Sequence, residues 1–175
     1  MKLRAAETGA SPGGNGHADR RRELTEEALC AWARLLGRRA VAAGVFVCLY
    51  GELGAGKSTL VRAACRGAGV TGPVPSPTFT LVNRHESAEG AAVLHVDLYR
   101  LRDPAELADI GWFDILACES AVFVEWADRA GGHLPADRWD IRLSLAEASD
   151  ARVVEAWSLG DAPALPPFAR DEGPC

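Results

Sequence analysis

Lysine is nearly absent from this 175-residue chain: Lys2 and Lys57 are the only two, and the rest of its 19 basic residues are arginine. Positive charge is also in short supply overall. A formal net charge of −5 and a pI of about 5.4 leave no global basic field to gather nucleic acid directly. The Arg20–Arg22 run and the Arg38-Arg39 pair are local and read as solvated faces. Cysteine is present at Cys30, Cys48, Cys65, Cys118 and Cys175, an odd number with no C-x-x-C spacing. That argues against a disulfide framework or a zinc site, and fits a reduced interior in which buried thiols act as small core residues. Long hydrophobic runs are missing too. The longest, around Val41 to Tyr50, is about half a membrane span and is interrupted by Gly44. The N-terminal stretch has no apolar block of signal-peptide length. The expectation is a cytoplasmic chain with no membrane contact.

What is present suffices for one core, since 48% of the residues are hydrophobic. Residues 1–20 are rich in Gly, Ala, Ser and Pro and read as a disordered tail, as does the stretch 160–175. The domain is expected over 21–159, without internal repeats.

Thr25 is placed as the N-cap of a helix whose apolar face carries Ala28, Leu29, Trp32, Leu35 and Leu36, with Gly37 and Gly44 loosening its far end. VFVCLY (45–50) is continuously apolar, as in a strand buried on both faces of a parallel sheet. A second helix runs from Ser58 to Gly67. Further strands are read at 79–86, at AVLHVD ending in Asp97, and at AVFVEW around Glu125. DPAELADI reads as a short helix with Pro104 in its first turn. DIRLSL and ARVVEAWS alternate and are joined by a short turn, so they form an antiparallel hairpin. Together these predict an α/β fold: a three-layer sandwich with a mostly parallel sheet and a C-terminal antiparallel hairpin.

GELGAGKS (51–58) fits the phosphate-loop pattern G-x-x-x-x-G-K-[ST], with a buried strand feeding it and a helix leaving it. Wrapping backbone around a phosphate needs conformations free of Cβ, which Gly51, Gly54 and Gly56 supply. The amides of residues 53–58 can then form a nest of donors at the positive end of the helix dipole. Lys57 is a compact ammonium that can curl over that loop, where a flat guanidinium would be too wide. This explains the one lysine kept inside the domain. Ser58 offers a hydroxyl to Mg2+. Asp97 and Glu125 end hydrophobic strands at the sheet edge where α/β folds place ligands, so either can hold the ion or orient water. Trp126 offers a face for a base. No guanine-reading N-K-x-D segment is found, which favours ATP over GTP.

GELGAGKSTL, SPTFTLV (76–82), HVDLYRL (95–101) and VEWADR (124–129) occur in that order, and this set strongly resembles the TsaE family (formerly YjeE). The resemblance extends from about Thr25 to Leu159. It implies a P-loop ATPase of bacterial tRNA threonylcarbamoyladenosine biosynthesis, weakly active alone and working on the TsaB–TsaD pair, with tRNA held by those partners. The family match implies nucleotide contacts along Glu52, Leu53, Gly54, Ala55, Gly56, Lys57, Ser58 and Thr59. It also implies a role in hydrolysis for Asp97, a Mg2+ role for Glu125, and packing of Trp126 near the adenine. Thr25 and Arg152 match outlying positions near the nucleotide. Ser58 replaces the usual threonine, Glu52 the usual aspartate and Phe79 the commoner tyrosine. SPTFT resembles the family's switch-like segment, with hydroxyls on Ser76, Thr78 and Thr80 available to sense a γ-phosphate. The same loop also serves two other functional classes: a small-molecule kinase, and a scaffold gated by ATP without essential hydrolysis.

Overall fold

The computed structural model describes residues 20–77, 80–147 and 150–168. Its elements run β1 (Arg20–Leu24), α1 (Glu26–Ala43), β2 (Phe46–Tyr50), α2 (Lys57–Gly67), β3 (Val82–Glu86) and β4 (Ala92–Asp97). A 3-10 helix over Pro104–Ile110 leads into α3 (Trp112–Ala117), then β5 (Ala121–Glu125) and a kinked 3-10 segment over Ala127–His133. β6 (Arg138–Leu145) and β7 (Arg152–Leu159) close the sheet.

The sheet order is β1-β7-β6-β2-β5-β4-β3. Strands β6, β2, β5 and β4 are parallel neighbours, while β1, β7 and β3 pair antiparallel at the two sides. The expected α/β sandwich with its antiparallel hairpin is therefore what forms. β2 shows why its apolar run does not alternate. Val47 and Leu49 face a core built with Leu29, Trp32, Leu36, Leu60 and Val61 from α1 and α2. Phe46, Cys48 and Tyr50 face a second core that holds Leu98, Leu107, Trp112 and Ile115. A strand between two helical layers has no wet face, so every position is hydrophobic.

α1 begins where the sequence placed it: the Ala28 amide donates to Thr25 Oγ1 at 3.2 Å, and Glu26 and Glu27 occupy the first turn. Its far end differs from expectation. Gly37 does not loosen the helix; it is buried mid-helix where α1 crosses α2. A Cβ on Gly37 would lie 1.9 Å from the Ala64 carbonyl oxygen, and one on Gly67 would lie 2.0 Å from that of Arg34. The two helices thus approach backbone to backbone, and α2, which starts at Lys57, is held tightly against α1.

The folded domain extends past both expected bounds. Arg20, expected in the tail, opens edge strand β1, in which Arg20–Arg22 pair with Ala156, Glu155 and Val154 of β7 while Arg21 stays exposed to solvent. Residues 160–168 are not a loose tail. The indole N–H groups of Trp32 and Trp139 donate to the carbonyls of Pro166 and Pro163 at 3.1 and 2.6 Å. Leu165 is buried, and Phe168 packs on Trp32 with ring centroids 4.9 Å apart. Proline can serve at 163 and 166 because both indole contacts use its carbonyl as acceptor, which proline retains. The remaining tail expectations, over 1–19 and 169–175, lie outside the described residues.

Candidate functional site

Parallel strands deliver the site residues. In the β4–β5 ladder Asp97 lies opposite Glu125, and Glu125 in turn lies opposite Leu49 of β2, the strand that feeds the glycine loop. The two acids and the loop therefore share the carboxyl edge of the sheet. They line a cleft of about 390 Å³ with Leu53, Gly54, Gly56, Lys57, Ser58, Thr59, Arg62, Ser76, Tyr99 and Trp126.

The loop is folded over its own lysine. Lys57 is 4% exposed, and its Nζ donates to the carbonyls of Gly51 and Glu52 at 2.6 and 2.8 Å. Gly51 must be glycine: its φ is +134°, and a Cβ there would lie 2.2 Å from the Leu143 carbonyl oxygen of β6. Burial lowers the Lys57 pKa from its ordinary value, and the charges of Glu125, Asp97 and Asp128 oppose that shift. The ammonium is thus held in place, partly desolvated and facing acids. It is primed for an anionic ligand.

Ser58 Oγ donates to Glu125 Oε2 at 2.8 Å, and Glu125 Oε1 lies 2.8 Å from His95 Nε2. Asp97 accepts from Ser76 Oγ at 3.2 Å and from the Tyr99 amide at 3.0 Å. A hydroxyl and a carboxylate within one hydrogen bond of each other suit Mg2+, which prefers hard oxygen ligands. Among the described residues no group of three or more His, Cys, Asp or Glu side chains could hold a metal by itself. An ion here would depend on phosphate oxygens and water for its remaining ligands, as magnesium commonly does.

Trp126 closes the cleft over the lysine. Its backbone is left-handed, φ +58°, unusual for a bulky residue, and this turns the side chain back across the cleft. The ring centroid lies 3.8 Å from Lys57 Nζ, a cation–π contact, and Tyr99 packs beside it at 5.0 Å. The indole therefore stands over the Lys57 ammonium, with Tyr99 at its side.

Not every expected residue converges. Thr25 caps α1 beside a separate hollow with Glu23, Glu26, Asp150 and Ala151. Arg152 braces the loop from behind, its Nε donating to the Ala55 carbonyl at 3.1 Å. Glu52 and Ala55 line the loop's other side, with Arg142 to Leu145. Thr78 and Phe79 lie outside the described residues. Sequence reasoning missed Arg62, Tyr99 and above all His95. The signal for His95 was available: it stands two residues before Asp97 on a strand, so both project to one face.

A buried strand, a glycine loop clasping its lysine and a helix starting at that lysine define the chain as a P-loop domain. It belongs to the TsaE family, whose model, "Threonylcarbamoyl adenosine biosynthesis protein TsaE", matches residues 24–154. The chain is 42% identical over 111 residues to the tRNA threonylcarbamoyladenosine biosynthesis protein TsaE of Haemophilus influenzae, covering 63% of this chain and 68% of that protein. Against the protein of the same name from Streptomyces coelicolor it is 40% identical over 136 residues, covering 73% and 91%. The crystal structure of Bacillus subtilis YdiB aligns with a TM-score of 0.62 at 26% identity, covering 83% of this chain and 90% of that one.

Proposed function

We propose that this chain is a cytoplasmic, Mg2+-dependent ATPase that supports a TsaB–TsaD pair in tRNA threonylcarbamoyladenosine modification. The observation that carries the ATPase reading is Lys57, buried and clasped by two loop carbonyls with Ser58 and Glu125 joined beside it. That arrangement supports gripping a triphosphate. Lys57 would bind the β- and γ-phosphates, while the loop amides and the N-terminus of α2 would receive the rest of the negative charge. Magnesium, when bound, supplies charge neutralisation across the phosphate oxygens, and Ser58 and Glu125 are the side chains that would hold it. Asp97, buried and fixed by Ser76 and the Tyr99 amide, would accept a hydrogen bond from the attacking water and so orient it. Hydrolysis then depends on positioning and electrostatics, without a covalent intermediate on the protein.

The tRNA-modification reading is supported by the names of the relatives, and the −5 net charge suits a protein that leaves tRNA to partners. Among the described residues no helix is long and apolar enough to cross a membrane. The experiment is ATP hydrolysis by the purified chain with and without the TsaB–TsaD pair, alongside Lys57→Ala. Hydrolysis should rise with the pair and vanish in the variant, whose melting curve should show an intact fold. Hydrolysis that survives in Lys57→Ala would remove the loop from the mechanism, and a rate indifferent to the pair would remove the partner role.

A further inference from the structure

We infer that His95 is a positioning residue for Glu125, holding that carboxylate in the orientation that presents Oε2 to Ser58, and doing so with its proton on Nε2. The inference rests on the reading above, in which Ser58 and Glu125 form the magnesium side of the site. His95 is fully buried on β4, and Glu125 is 2% exposed on the neighbouring β5. Each oxygen of the carboxylate has a partner of its own: His95 Nε2 at 2.8 Å from Oε1, and Ser58 Oγ at 2.8 Å from Oε2. A glutamate has three rotatable bonds, and one tethered oxygen fixes where the other points.

The tautomer follows from the other ring nitrogen. His95 Nδ1 is buried and finds no hydrogen-bond partner among the described residues. His85 of β3 packs beside the ring, with centroids 6.3 Å apart, and its own Nε2 is likewise unpartnered. A proton on Nδ1 would bury an N–H without an acceptor and set a bare Nε2 lone pair against a carboxylate oxygen. A proton on Nε2 removes both penalties and leaves only an unpaired acceptor, the more tolerable orphan.

Nitrogen-15 NMR on the full chain, without metal or nucleotide, should find His95 protonated at Nε2 and bare at Nδ1. The opposite tautomer would overturn the inference. Calorimetry on His95→Leu, with ADP and increasing Mg2+, should show a Mg2+ requirement raised about 10- to 100-fold, the usual consequence of losing a partner that orients a metal ligand. ADP binding in EDTA should be unchanged. His95→Gln, which keeps an N–H donor, should recover most of the loss. A Mg2+ requirement equal to wild type in both variants, or an equal loss in both with a lowered melting temperature, would leave His95 a packing residue only. Should His95→Leu fail to fold, the tautomer and the His95→Gln titration decide the matter. Wild-type chain that binds ADP without regard to Mg2+ would instead defeat the proposed function, and the tautomer measurement would still judge His95.

Discussion

Replacing Gly37 with alanine sets two effects of opposite sign against each other. Alanine in a helix interior is favoured over glycine by about 1 kcal/mol. Against this, the new methyl would sit 1.9 Å from the Ala64 carbonyl oxygen, where Cβ contacts essentially never fall below 3.0 Å. The obstacle is backbone, which cannot rotate aside, so α1 and α2 must separate by on the order of 1 Å in a close-packed interior. Overpacking costs about 1–3 kcal/mol, and a clash with backbone puts this site at the upper end, about 2–3 kcal/mol. The net expectation is a loss of about 1–2 kcal/mol, a fall in melting temperature of about 2–8 °C for a domain of this size. Because α2 begins at Lys57 and carries Ser58, nucleotide affinity should weaken with it. Thermal melts followed by circular dichroism test this, with Gly72→Ala as the control. A Cβ at Gly72 meets no heavy atom within 4 Å, so that variant should melt at or slightly above wild type. If Gly37→Ala also melted at or above wild type, the helix crossing would not be set by these glycines and the reasoning would fail.

Other expectations can be checked more briefly. Asp97→Ala should reduce ATP turnover at least tenfold while leaving nucleotide affinity within a few-fold, since Asp97 is assigned to water rather than phosphate; equal losses in a binding assay and a turnover assay would contradict that role. Truncation after Gly160 should destabilise the domain by about 3 kcal/mol, from the lost burial of Leu165 and two lost indole hydrogen bonds. An unchanged denaturation midpoint would show that the segment does not hold the domain together. Burial pushes the Cys65 thiol up to about 12 and Cys48 well above its usual value, so neither is a thiolate at pH 8. A thiol reagent should label both only after unfolding, and native labelling at the rate of Cys118 would disprove it.

How much of this was legible in advance depended on whether the signal was local. VFVCLY showed by its lack of alternation that a strand lay between two layers, and β2 has those two cores. Thr25 showed the start of α1 because an N-cap is bonded three residues away. Gly37 misled because its reason lies in α2, at Ala64. The proline-rich end misled because few apolar side chains suggested nothing to bury, while its carbonyls serve Trp32 and Trp139 from across the chain. Trp126 could be placed beside the cleft from sequence, but its direction depends on a left-handed backbone that no pattern announces.

The amino-acid order alone settled the glycine loop, its single lysine, the hydroxyl after it and the acids at two strand ends, because each is dictated by short-range geometry or by side-chain chemistry at a fixed spacing. Tertiary structure alone decided which acid meets the hydroxyl. Ser58 and Glu125 stand 67 residues apart and touch only because β2 and β5 pair side by side, and His95 joins them only because β4 lies next in the sheet. Strand order is a property of the packed whole, since it emerges from burying both faces of the sheet at once.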